Sequence, residues 1–207
     1  NQDGSPVGFE DAGRYWHSDL SYAQLPMLGS MLYALEIPPK GGETLFADMR
    51  KALETLPQTI RGRLEGLKAY HSYTRDDKAK ESAEGLRPVL NIDQLAKLSD
   101  VVHPVVRTHE DTGARSLFVN PGFTICFEGQ TPEESAELLQ TLYHHAVQKE
   151  NMFVFKWTPG SAVMWDNRAV WHCACNNYPG MHRVMHRVTL DGVELESADS
   201  TQLGSKK

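Results

Sequence analysis

The chain has 207 residues, 40% of them apolar, with 21 basic against 27 acidic side chains and a net charge of -6. That suffices for one domain around one core, and the charge supplies no basic face for nucleic acid. Apolar runs such as 162–165 and 31–35 fall far short of the roughly 18 residues a membrane span needs, so the expected partner is a small molecule rather than nucleic acid or membrane.

In chain order, Asn1 stands where an initiator methionine is absent and no signal-peptide pattern follows, so the chain is expected to be a single domain (1–207) lacking an N-terminal segment. Alternating bulky and polar residues at 15–20 suggest a strand edge. Residues 28–37 read as an apolar strand closed by Pro38-Pro39 and the breaker Lys40-Gly41-Gly42, with a short strand at 44–47. Asp48 suits a helix cap, and Leu53, Leu56, Ile60, Leu64 and Leu67 have helical spacing that Pro57 interrupts, predicting two short helices. Residues 71–100 are charged and weakly periodic, and a mobile insertion or lid is expected there. Strand, turn and strand over 101–107, 109–114 and 115–119 read as a hairpin. Thr131-Pro132-Glu133-Glu134 is a capping box opening a helix whose apolar face is Leu138, Leu139, Leu142, Tyr143 and Ala146. Further strands are expected at 153–157, 162–165 and 183–190. Strands dominate, and without βα alternation or a glycine-rich nucleotide loop a sandwich or barrel is favoured over a doubly wound sheet.

Cys126, Cys173 and Cys175 are an odd count, and the 173/175 spacing is too tight for an ordinary disulfide or a CxxC site, so a reducing, cytoplasmic compartment is expected. His71, His103, His109, His144 and His145 read as structural or solvated. His17 and Asp19, two apart on an extended segment, present both side chains to one face. With a second histidine from a distant strand they would form a 2-His-1-carboxylate triad, which leaves three positions of an octahedral iron open. Taken alone the tripeptide is weak evidence, since it arises by chance in many chains, and a surface strand carrying a solvated acid is then the favoured reading.

The far end of the chain holds Trp165-Asp166-Asn167-Arg168, then His172 and, 15 residues on, Arg187. Gly41-Gly42-Glu43-Thr44 ends 27 residues after His17, and 118–124 read Phe-Val-Asn-Pro-Gly-Phe-Thr. In order and spacing these motifs resemble the taurine dioxygenase family, the TauD/TfdA group, over about Trp16 to Gly192. The resemblance implies a mainly β fold with flanking helices and a double-stranded β-helix (jelly-roll, cupin-like) core. It implies Fe(II) held by His17, Asp19 and His172, with 2-oxoglutarate and O2 as cosubstrates and succinate and CO2 as co-products. Arg187 is expected to bind the distal carboxylate of 2-oxoglutarate, since the guanidinium fork suits a carboxylate. Arg183, on the same strand face, is a secondary anion contact, Thr44 adds a hydroxyl, and Trp165 either packs beside the metal, as the resemblance implies, or is an ordinary core aromatic.

Because Asp19 is present where related halogenases lack the carboxylate, hydroxylation is the implied outcome. Leu20, Phe123 and Arg187 would line a pocket with an apolar wall and a cationic end, suited to a small anionic compound such as a sulfonate, sulfate ester or aryloxyalkanoate. Gly13, four before His17, replaces the asparagine of taurine-specific members, which argues against taurine itself. The family also implies a homodimer or homotetramer. Competing readings are a zinc hydrolase on the same triad and a catalytically degenerate sandwich that binds a small ligand.

Overall fold

The computed structural model describes residues 13–73, 99–192 and 196–197. In chain order these form β1 (Met27–Glu36), β2 (Thr44–Asp48), α1 (Met49–Thr55), α2 (Gln58–Gly62), β3 (Lys68–His71), β4 (Val101–Pro104), β5 (Val106–Thr108), β6 (Arg115–Leu117) and β7 (Thr124–Phe127). They continue with α3 (Pro132–Ala146), a short 3-10 turn (Lys149–Asn151), β8 (Met152–Phe155), β9 (Ala162–Asp166), β10 (Val170–Ala174), β11 (Val184–Gly192) and β12 (Glu196–Ser197). The strands pair antiparallel in the orders β11-β1-β9, β10-β2-β8, β12-β5-β6 and β4-β3-β7. Early strands pair with late ones, β1 with β11 and β2 with β10, which winds the chain into the expected jelly-roll core with flanking helices.

The helix signals act where the sequence puts them. The Asp48 carboxylate accepts the amides of Arg50 and Lys51 at 2.9 and 3.1 Å and opens α1. Pro57 begins α2. Thr131 and Glu134 form the reciprocal capping box of α3, with Pro132 in its first turn. Leu138, Leu139, Leu142 and Ala146 of α3 meet Leu53 and Leu56 in the main core, which also takes in Ala47 of β2 and Trp171 of β10.

The pleat of β2 and β10 separates this core from the site. Trp171 lies opposite Ala47 and His172 opposite Phe46, so Ala47 and Trp171 face the helices while Phe46 and His172 point the other way. There Phe46 meets Trp165 of β9, ring centroids 5.5 Å apart, and joins the sheet β10-β2-β8 to β11-β1-β9. Along β1, Ser30 and Ala34 are buried while Met31, Tyr33 and Leu35 are exposed.

Three expectations need correction. The segment 15–20 is not a strand edge: only His17 pairs, in an isolated bridge, because Leu20 takes a left-handed φ of 51° and turns the chain. The single strand read over 101–107 is two, since the Val105 amide turns to Leu67 while Val105 itself is fully buried, and β4 pairs with β3 whereas β5 pairs with β6. Residues 68–71, at the edge of the charged stretch, form β3, whose mixed Lys-Ala-Tyr-His composition hid its buried Ala69 and His71. The remainder of the expected lid, 74–98, lies outside the described residues.

Candidate metal centre

His17 and His172 meet as partners in an antiparallel bridge, each amide donating to the other's carbonyl at 3.2 and 2.9 Å. Residues directly opposite in such a bridge present side chains to the same face, and the two imidazole centroids lie 4.2 Å apart. Asp19, after the intervening Ser18, returns to that face. Ser18 itself turns away and donates to the Val170 carbonyl at 2.9 Å, pinning the approach to β10. Asp19 Oδ1 lies 3.6 Å from His17 Nε2 and 3.7 Å from His172 Nε2, and one ligand atom from each of the three residues falls within 4.8 Å of the others. All three residues are 7% exposed.

Protonation suits ligation, which requires a neutral imidazole and an ionised carboxylate. The carbonyl of Tyr15 can only accept, so His17 Nδ1, 2.8 Å away, carries the proton and Nε2 turns its lone pair to the cluster. Burial penalises the charged form of Asp19, but the adjoining imidazoles of His17 and His172 and the charge of Arg187 outweigh it and hold the carboxyl well below the usual range. Burial, reinforced by His17 and Arg187 and opposed by Asp19, pushes His172 down to about 3. Two imidazoles and one carboxylate with converging donor atoms fit a divalent metal, and this donor set is the one used by non-haem iron.

The remaining oxygen, Asp19 Oδ2, is held by Ser30 Oγ at 2.9 Å and Arg187 Nη2 at 2.5 Å. Arg187 also donates to Ser30 Oγ at 3.1 Å. The Trp165 ring lies 4.8 Å from His172, its indole N–H donating to Asn167 Oδ1 at 2.9 Å. Arg168 binds Asp166, Glu110 and Asp111, and the His109 ring pairs with Asp166 at 2.9 Å, so the turn into β10 is clamped to the β5–β6 hairpin.

A second polar group lies farther along β2 and β11. Trp157 Nε1 donates to Thr44 Oγ1 at 2.9 Å, and the Arg183 guanidinium stands 5.8 Å from the Trp157 ring centroid. Arg183 Nε is buried without a hydrogen-bond partner among the described residues, and burial lowers the basicity of this guanidinium. The two arginines on the same strand face thus do different things: Arg187 meets a triad carboxylate, while Arg183 bonds Tyr178 and stands beside Trp157, whose indole engages Thr44.

Phe123 lies edge-on to His17 at 6.1 Å and packs on Tyr22 at 4.7 Å, and Tyr22 also meets Tyr73 at 4.9 Å. Asn120 fixes this wall: it accepts the Phe123 amide at 2.9 Å and donates to Ser21 Oγ at 2.9 Å. Burial, with Tyr73 and Asp19 nearby, pushes the Tyr22 phenol above its ordinary value and keeps it neutral. Leu20 is half-buried on the turn between Asp19 and Tyr22. Sequence reasoning missed Tyr15, Tyr22, Ser30 and Trp157. Tyr22, three residues past Asp19, was within reach of a search for aromatics near the motif, whereas Ser30 and Trp157 carry no local signal.

The family described as taurine catabolism dioxygenase TauD, TfdA family matches residues 1–189. Over 167 residues the chain is 36% identical to an alpha-ketoglutarate-dependent 2,4-dichlorophenoxyacetate dioxygenase of Cupriavidus pinatubonensis, covering 78% of this chain and 54% of that protein. It is 33% identical over 183 residues to an alkylsulfatase of Acinetobacter baylyi, covering 86% of this chain and 56% of the relative. Among solved structures, AAD-2 in complex with Mn(II) and N-oxalylglycine superimposes with a TM-score of 0.77 at 31% identity, over 88% of this chain and 70% of that one. The chain spans about half the length of the curated relatives it matches.

Proposed function

The chain belongs to the TauD/TfdA family of dioxygenases, and from that premise we propose that it is an Fe(II)- and 2-oxoglutarate-dependent dioxygenase hydroxylating a small anionic organic compound. The observation that carries the reading is the convergence of His17 Nε2, Asp19 Oδ1 and His172 Nε2 in a buried cluster, with a separate guanidinium and hydroxyl waiting farther along the same strands. Those three atoms would hold the iron. When bound, iron and 2-oxoglutarate supply the activation of O2 coupled to decarboxylation, giving succinate and CO2.

The protein's own groups bind, orient and exclude water. We assign the distal carboxylate of 2-oxoglutarate to Arg183 and Thr44 rather than to Arg187. A keto acid that chelates the metal points its far carboxylate away from it, and Arg187 touches a triad carboxylate whereas Arg183 stands four residues back, roughly 13 Å along an extended chain. Thr44 Oγ1 accepts from an indole that can only donate, so its own proton remains for the cosubstrate. Arg187 is then the cation for an anionic substrate, with Tyr22, Phe123 and Leu20 as the apolar wall that keeps water from the reacting carbon.

Sulfonates, sulfate esters and aryloxyalkanoates fit this combination, and the names of the relatives support that range. A zinc hydrolase on the same triad leaves Arg183 and Thr44 without a task. The three free cysteines support a reducing, cytoplasmic setting, and a homodimer or homotetramer is part of the proposal, read by sedimentation velocity. The test is anaerobic. Fe(II) and 2-oxoglutarate added to metal-free protein should give the weak visible charge-transfer band of a chelated keto acid, and His172→Ala should lose it. Fe(II) binding with no band in the wild type would reject the assignment.

A further inference from the structure

We propose that Ser30 is a positioning residue of this centre, the fixed donor that keeps Asp19 bound to its metal through one oxygen only. The inference rests on the dioxygenase reading for the identity of the three ligands, and on the hydrogen bonds around Asp19 for everything else. The two carboxylate oxygens are divided: Oδ1 faces both histidines, at 3.6 and 3.7 Å, while Oδ2 faces Ser30 and Arg187. The directions of these bonds are unambiguous. A guanidinium only donates, so at 3.1 Å Ser30 Oγ must accept from Arg187. Its single hydroxyl proton is therefore free for the ionised carboxylate at 2.9 Å, the other acceptor in reach being the weak Met27 thioether at 3.4 Å.

The two donors differ in permanence. The Arg187 side chain is 44% exposed and has three rotatable carbons between strand and guanidinium, so an anion entering the site can draw it away. Ser30 is wholly buried in the middle strand of its sheet, between β11 and β9, and its hydroxyl cannot follow. When Arg187 turns to a substrate, Ser30 alone still occupies Oδ2. Without it that oxygen would be free to swing onto the metal, and a carboxylate binding through both oxygens closes one of the positions that cosubstrate and O2 require. Groups that orient a metal ligand in this way typically change metal affinity by about 10- to 100-fold.

The test uses Co(II), whose visible spectrum reports coordination number, titrated into metal-free wild type, Ser30→Ala, Ser30→Cys and His172→Ala. Ser30→Ala is expected to melt close to the wild type without metal, to bind Co(II) about 10- to 100-fold more weakly, and to give an altered spectrum. Ser30→Cys, of similar size with a weaker donor, should fall between. Wild-type affinity and spectrum in a folded Ser30→Ala overturn the proposal. So does loss of the metal-free fold in both serine variants, because the hydroxyl would then be supporting the sheet rather than the ligand. If His172→Ala retains wild-type Co(II) affinity, the triad reading itself fails. If His172→Ala loses the ion while Ser30→Ala keeps it, only the role of Ser30 fails.

Discussion

Replacing Arg183 by glutamine tests the proposed exchange of roles between the two arginines, the sequence having pointed to Arg187 for the cosubstrate. Arg183 has a buried Nε with no partner among the described residues and lies beside Trp157, whose indole engages Thr44. A carboxylate seated there is largely withdrawn from water, and truncating one side of such a charge pair costs about 2–4 kcal/mol, or roughly 30- to 1,000-fold in Kd. The assay is calorimetric titration of 2-oxoglutarate into anaerobic, Mn(II)-loaded protein. Arg183→Gln should lose affinity in that range. Thr44→Val should lose about 1 kcal/mol from the single hydrogen bond to cosubstrate, and should also lower stability because the Trp157 N–H is left unpaired. Arg187→Gln should leave cosubstrate affinity within a few-fold of wild type while weakening binding of an anionic substrate. The reasoning is refuted if Arg187→Gln gives the large loss and Arg183→Gln does not.

The metal-free protein should lose stability between pH 7 and pH 5.5. Burial pushes His71 and His172 from an ordinary 6.5 to about 3, and burial also lowers His103, so below 6.5 the unfolded chain takes up protons that the fold does not. Each of the first two contributes about 1.4 kcal/mol per pH unit below 6.5. Asp19 has the opposite chemistry: its depressed value leaves its contribution intact above the ordinary 3.8, so it offsets nothing in this window. Urea midpoints at the two pH values read the loss, His71→Leu should reduce it, and equal midpoints would contradict the assignment. Gly122→Ala should weaken metal binding and cost about 1–3 kcal/mol by overpacking, since a Cβ there would stand 2.7 Å from Tyr15 Cε2 and 3.1 Å from His17 Cβ. Denaturation and Co(II) titration check both parts.

How far the site could be read in advance depended on distance along the chain. His17 and Asp19 were legible because a two-residue spacing fixes a common face. His172 was reached through motif order, since the bridge that sets it against His17 consists of two backbone hydrogen bonds with no local pattern. The shared face of Arg183 and Arg187 followed from strand period. Which of them meets the triad depends on how β11 lies beside β1, with Arg187 opposite Leu32, and register is a property of the pair of strands. Ser30 carries no local signal within an apolar strand, and only its neighbours reveal a donor. The helices were the most legible elements, because caps such as Asp48 and Thr131 act on residues two or three away. β3 was the least, its central position coming from β4 and β7 on either side.

The opposed faces of β10 impose a parity rule on this centre. Odd positions Trp171 and Cys173 are buried on the opposite face, where Trp171 meets Tyr143 at 5.9 Å, and the even position His172 faces the triad. Slipping the strand by one residue would send an indole toward the ion and an imidazole in among leucines, exchanging both roles at once. A single inserted or deleted residue between Asp166 and His172 is therefore more disruptive than most substitutions at the site. Length changes can be absorbed only outside the short turn clamped by Arg168, so the ion pairs of that turn serve as a counting device that keeps the ligand in phase with the core.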